Sequence, residues 1–169
     1  MTNVEHVATK DLRPPVMLDD VDRSIVDALA VDARLTNAEL AARVGVAPST
    51  AHARTRALVD RGVLTGFHAS VDQRVVGAGL QAIVHVTLRP GSRHESITEF
   101  AHEVRGLPQV IQMFFLGGSD DFLIHIAVAD SSEVRAFVVE HLSAQRSVAN
   151  TRTSIIFDYH RNRVAAPFH

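Results

Sequence analysis

Residues 37–64 read NAELAARVGVAPSTAHARTRALVDRGVL, and this stretch decides the fold of the N-terminal part of the chain. Two helix-like halves are pinned around Gly45, and the second half ends at Gly62. Thr36-Asn37-Ala38-Glu39 is a capping box, with Thr36 at the N-cap and Glu39 at the third helical position. Leu35 and Leu40 are placed to close the hydrophobic staple around it. Pro48 suits the first position of the next helix, where its missing N–H is no loss. On that helix Ala51, Thr55 and Leu58 are predicted to face inward. Ser49, Thr50, His52, Arg54 and Arg56 are predicted on or near the outer face, beside the small Ala53 and Ala57.

Upstream, residues 18–31 form an amphipathic helix, with Asp19 at its N-cap and Asp20 and Asp22 in the first turn. Leu18, Val21, Ile25, Ala28 and Leu29 share its apolar face. Residues 1–17 lack a pattern, contain Pro14-Pro15 and read as a flexible extension. Downstream, residues 63–69 are predicted to form a short hairpin turning near Thr65 and Gly66, and residues 72–79 a linker or short crossover.

From Leu80 the period changes to two. Ala82, Val84, Val86 and Leu88 alternate with Ile83, His85, Thr87 and Arg89 as in a half-buried strand. A second capping box at residues 92–95 opens a helix with Ile97, Phe100, Ala101 and Val104 inside, ending at Gly106. Strands follow over 110–116 and 122–128, joined by the turn Gly117-Gly118-Ser119-Asp120. A helix over 130–143 buries Val134, Phe137, Val138 and Leu142, and a last strand is predicted over 153–159. The order β-α-β-β-α-β over 80–160 gives an α+β, ferredoxin-like domain with two helices on one sheet face. The other face is expected to be partly apolar through Ile83, Ile111, Met113 and Ile156, and a second subunit is its expected cover. His85 and His125 fall on that same face and read as interface lining. Residues 161–169 are an unexplained tail.

Composition narrows the function. The 169 residues carry a net charge of −2 and no cysteine, which removes disulfides, thiolate metal sites and a cysteine nucleophile. The ten histidines show no helical i, i+4 pair with a partner carboxylate, so no metal is expected. There is no nucleophile elbow and no phosphate loop, and Lys10 is the only lysine, so no catalytic residue and no enzyme activity are expected. No apolar run is long enough for a membrane span, and residues 1–16 lack the basic stretch and apolar core of a secretory signal, which makes a cytoplasmic location the expectation.

Charge is unevenly spread. Residues 43–74 carry five basic and two acidic side chains, whereas residues 1–42 carry four and eight. The one clearly positive window is therefore the helix-turn-helix. A small-sided helix with arginines is what a major groove about 12 Å wide admits. The turn GGSDDF exposes backbone N–H groups suited to a carboxylate, and Asp121 is a candidate for holding an ammonium group; an ordinary hairpin turn explains the same residues.

The segments LDDVDRSIVDAL (18–29), DARLTNAELAARVGVAPSTAHAR (32–54), LVDRGVLTGFHASVD (58–72) and LGGSDDFLIHIAV (116–128) together resemble the Lrp/AsnC transcriptional regulators. The resemblance implies an N-terminal winged helix-turn-helix over 18–71 and a C-terminal effector-binding and oligomerisation domain, called RAM, over 80–160. It implies a sequence-specific regulator that binds double-stranded DNA through Ser49, Thr50, His52, Arg54 and Arg56. It further implies homodimers joined through the RAM sheets, often built into tetramers or octamers. An amino-acid effector is implied near the glycine turn, at Gly118, Ser119, Asp120 and Asp121, with no cofactor besides it. Ala47, Ala53, Thr55 and Ser119 depart from the family pattern. The change at Ser119 leaves a DNA-organising protein with little effector response as the alternative.

Overall fold

The computed structural model describes residues 16–91 and 94–158, which fall into two compact units divided between Ser70 and Val71.

The first unit is a three-helix cluster: α1 (Asp20–Val31), α2 (Asn37–Val44) and α3 (Pro48–Asp60). Each boundary has a local cause. Asp19 caps α1 by accepting from the Asp22 N–H at 2.8 Å. Thr36 and Glu39 close the reciprocal capping box of α2, and Gly45 ends that helix at φ +72°, where a side chain would be strained. Ala47 precedes α3 without a side-chain cap, and Pro48 opens the helix. The three helices bury Ile25, Val26, Ala28, Leu29, Leu40 and Leu58 together. The hairpin expected over 63–69 does not form, and no strand lies between residues 61 and 79. The reason is visible at the end of α3. The N–H groups of Val63 and Leu64 both donate to the Leu58 carbonyl, and both side chains pack on the helical core, so neither is available to a ladder.

The second unit is built as β1 (Leu80–Leu88), α4 (His94–Arg105), β2 (Val110–Phe115), β3 (Phe122–Val128), α5 (Ser131–Phe137), a π-helical continuation over Val138–Ser143, and β4 (Val148–Ile156). The antiparallel sheet has the order β2-β3-β1-β4. Ala82, Val84, Val86, Leu88, Phe122, Ile124, Ile126 and Val128 point to the helices and meet Phe100, Val104, Val134, Phe137 and Leu142 in one core. β4 begins five residues before the strand predicted from sequence. As an edge strand it buries only Val148 fully, so NTRTS shows no alternation to read. Met113 also departs from expectation. It pairs with Ile124 and packs on the helix-side core, because a bulge between Val110 and Gln112 shifts the β2 register. The open face therefore carries Gln112 and Phe114 from β2, Leu123 and His125 from β3, Ile83 and His85 from β1, and Arg152 and Ser154 from β4. The capping box at 92–95, Tyr159 and the segments 1–15 and 161–169 lie outside the described residues or side chains.

Candidate nucleic-acid and effector sites

On α3 the helical period divides the side chains cleanly. Ala51 and Leu58 are fully buried, and Arg54 and Thr55 lie half-buried on the same side. Ser49, Thr50, His52, Ala53, Arg56 and Ala57 are exposed. Four of the five residues predicted for the outer face are thus presented together. Arg54 is not: its guanidinium turns back onto α1, where NH1 donates to Asp19 Oδ2 and, at 2.9 Å, to Asp22 Oδ1. These two hydrogen bonds raise the Arg54 pKa above its ordinary value. The spacing permits this placement, since position 54 lies beside 51, 55 and 58 on the helix wheel, and the acids of α1 set it. Arg61 adds to the clamp by donating to the Met17 carbonyl at 2.8 Å and lying 3.5 Å from Asp22 Oδ2.

A carboxylate is buried in α1 because Asp22 is the counter-charge for Arg54 of α3 and for Arg61 just after it. The sequence carries arginines seven residues apart, Arg54 and Arg61, and acids three apart, Asp19 and Asp22, but nothing local pairs them across 32 or more residues. Thr55 is the weak point of this face, because its hydroxyl is buried without a hydrogen-bond partner. Thr55→Val, which replaces that hydroxyl by a methyl group of the same shape, is expected to raise the unfolding free energy by about 1 kcal/mol in guanidinium titrations.

Acid is expected to loosen the same unit. Asp19 is held below its ordinary carboxyl pKa chiefly by the Asp22 N–H and then by Arg54, and Glu39 by the Thr36 side chain and N–H. A lowered folded-state pKa means stability that is present above the ordinary carboxylate range and lost as pH falls through the lowered values. Helical circular dichroism at 222 nm should therefore decline below about pH 4, and Asp19→Asn should blunt that decline.

The turn between β2 and β3 holds the second group of predicted residues. Gly118 and Ser119 are exposed at its tip. Asp121 is engaged by the fold: its Oδ2 accepts from the Leu88 N–H at 2.7 Å, its N–H donates to the Val86 carbonyl, and its carbonyl accepts from the Leu116 N–H. Asp120 instead points along the open sheet face. Its Oδ2 lies 2.9 Å from His85 Nδ1 and 3.3 Å from an Arg152 NH2 that is itself 3.0 Å from the same nitrogen. Sequence reading placed His85 on this face as interface lining and did not single out Arg152; cross-strand register alone, pairing His85 with Arg152, is what brings them together. The neighbouring His125 is buried beside Gln81, and burial pushes its pKa down. Among the described residues no group of three or more His, Asp or Glu is placed to hold a metal ion, and no helix is long and apolar enough to cross a membrane.

Comparison with known proteins gives two family matches, to the AsnC-type helix-turn-helix domain over residues 18–59 and to the Lrp/AsnC ligand binding domain over residues 81–164. The HTH-type transcriptional regulator AldR of Mycobacterium tuberculosis is 46% identical over 160 residues, spanning 95% of this chain and 87% of that protein. The leucine-responsive regulatory protein of Escherichia coli K12 is 31% identical over 86% of this chain and 88% of its own length. Among solved structures, a transcriptional regulator of Neisseria meningitidis in complex with L-Met superposes with a TM-score of 0.82 at 30% identity, covering 89% of this chain and 97% of that one.

Proposed function

This chain belongs to the Lrp/AsnC family of transcriptional regulators, and we propose that it binds operator DNA in a sequence-specific manner and changes its assembly or DNA affinity on binding a small amino acid. It is a regulator and not an enzyme, as its relatives are.

The observation that carries the DNA reading is the exposed face of α3. Ser49, Thr50, His52 and Arg56 stand out from a helix whose neighbouring positions are alanine, so no bulky side chain holds the helix axis away from base edges. Ser49 and Thr50 lie in the first turn, where backbone N–H groups and the helix dipole favour phosphate. Arg54 serves the same interface by fixing α3 against α1 through Asp19 and Asp22. The open sheet face, with Phe114 and half-buried Ile83 and Leu123, supports pairing with a second copy, and a two-fold pair presents two α3 helices to two half-sites. The effector reading is supported by the exposed turn at Gly118 and Ser119 and by the amino acid in the Neisseria relative.

A fluorescence-anisotropy titration on DNA upstream of the protein's own coding sequence, against unrelated competitor DNA, tests this. A specificity ratio of roughly 10³ or more supports the regulator. A ratio near one instead supports a DNA-organising protein of the same fold.

A further inference from the structure

α3 starts without a cap of its own. Ala47 stands at its N-cap and makes no side-chain hydrogen bond, whereas Asp19 and Thr36 cap α1 and α2. A capping side chain is what ordinarily fixes the first turn of a helix. The first turn of α3 is held from outside instead. Asn37, the first residue of α2, donates from its side-chain Nδ2 to the Pro48 carbonyl at 2.8 Å. A carbonyl oxygen has two lone pairs, so this bond adds to the ladder of α3 and does not compete with it.

The bond is placed where it has leverage. Gly45, Val46 and Ala47 join α2 to α3 at the end of α2 remote from Asn37. Asn37 stands about 10 Å along the helix axis from that turn, so the two helices are tied at both ends of α2. Asn37 springs from a fixed backbone. The Thr36 N–H and the Thr36 hydroxyl both donate to Glu39 Oε2, at 2.8 and 2.7 Å, and close the turn that carries it. Further along, Arg54 ties α3 to Asp19 and Asp22 of the α1 start. Between these ties α3 buries Ala51 and Leu58 fully. One of the two is an alanine, so packing alone grips the helix narrowly. Ser49 and Thr50 follow Pro48 directly, and His52 lies one turn on, on the same side as Pro48. A tilt of the first turn would displace all three.

We propose that Asn37 is a positioning residue for operator recognition, fixing the first turn of α3 against α2 so that Ser49, Thr50 and His52 meet base edges in one register. This role rests on the DNA-binding function proposed for the helical unit and extends it to a residue of α2. Asn37 and Pro48 are both exposed, so breaking their bond strands no buried group and costs the fold little. The loss falls on geometry. Hydrogen bonds to base edges weaken steeply when misaligned. The attraction of Arg56 to a phosphate falls off only gradually with distance. Specific binding is therefore sensitive to Asn37, and non-specific binding is not.

Anisotropy titrations of the full chain on DNA upstream of its own coding sequence and on unrelated DNA, paired with thermal melts, test this in two variants. Asn37→Ala removes the amide. Asn37→Asp keeps the shape and puts an acid in the first turn of α2, where the helix dipole favours it, but a carboxylate only accepts. In both, the ratio of specific to non-specific affinity should fall roughly tenfold, the recognition carried by about one base pair. The charge added by Asn37→Asp weakens both DNAs alike and cancels in the ratio. Thermal midpoints should hold, and Asn37→Ala should keep the salt slope of the unmodified chain on unrelated DNA. The role is overturned if Asn37→Ala weakens both DNAs by one factor, which marks a direct phosphate contact. It is equally overturned if either variant keeps the ratio within twofold, or if the ratio falls only together with the thermal midpoint, which marks damage to the fold. Should Asn37→Ala fail to fold, Asn37→Asp decides by the same ratio. A ratio near one in the unmodified chain overturns operator recognition and this role with it. A high ratio that survives both substitutions overturns the role alone and leaves operator recognition standing.

Discussion

Arg56→Ala is expected to weaken operator binding by about 1–3 kcal/mol and to lower the salt slope of log affinity by about one per bound copy, while Arg54→Ala acts mainly on stability. The two arginines sit two residues apart and carry the same charge, yet the fold gives them different surroundings. Arg56 is exposed, with no ion-pair partner among the described residues, so its guanidinium is available to a phosphate or a guanine edge. Arg54 already holds two carboxylates, Asp19 and Asp22, and a phosphate would have to displace both. Truncating Arg54 removes the tie between α1 and α3 and leaves Asp22, a nearly buried carboxylate, with Arg61 alone at 3.5 Å. Its thermal midpoint should fall, and its salt slope should stay near that of the unmodified chain. Anisotropy titrations between 50 and 200 mM salt, paired with thermal melts, read both quantities. If Arg54→Ala flattens the salt slope and Arg56→Ala does not, the assignment of contacts on this helix is reversed.

The contrast also shows where sequence reading reaches its limit. The three helices, their caps and the ferredoxin-like order were legible because each is written in local chemistry: Thr36 with Glu39, Gly45 at positive φ, the alternation from Ala82 to Leu88. Arg54 was misplaced for a different reason. Its position on the wheel lies at the margin between inside and outside, and only the acids on α1 decide which way it turns. Asp22 could be recognised as a cap-region acid, but not as a buried partner 32 residues away in sequence. The bulge at Ile111 reversed the side of Met113, and no residue type marks that irregularity. β4 was missed over its first five residues because an edge strand with one fully buried side chain has no period to detect. The Phe114–Leu123–His85–Arg152 row is wholly a product of register, joining four segments between positions 85 and 152.

Leu58→Ala is expected to unfold the helical unit and abolish DNA binding while the sheet unit stays folded. Leu58 is fully buried in a small cluster whose other buried members, among the described residues, are Ile25, Val26, Ala28, Leu29 and Leu40. Truncating a buried leucine costs about 2–5 kcal/mol, with the upper end where neighbours cannot collapse into the space. Helices pinned by caps at Asp19, Thr36 and Gly45 have little freedom to close in. A unit of this size has roughly 3–8 kcal/mol of stability in total, so the loss consumes most of it. The second unit has a separate core in Phe100, Phe122, Ile124, Ile126 and Leu142, none of which meets Leu58 in a shared cluster. NMR spectra should therefore lose the dispersed methyl signals of Ile25 and Leu40 and keep those of Ile124 and Ile126. Collapse of both sets of methyl signals together would show that the two cores do not fold independently.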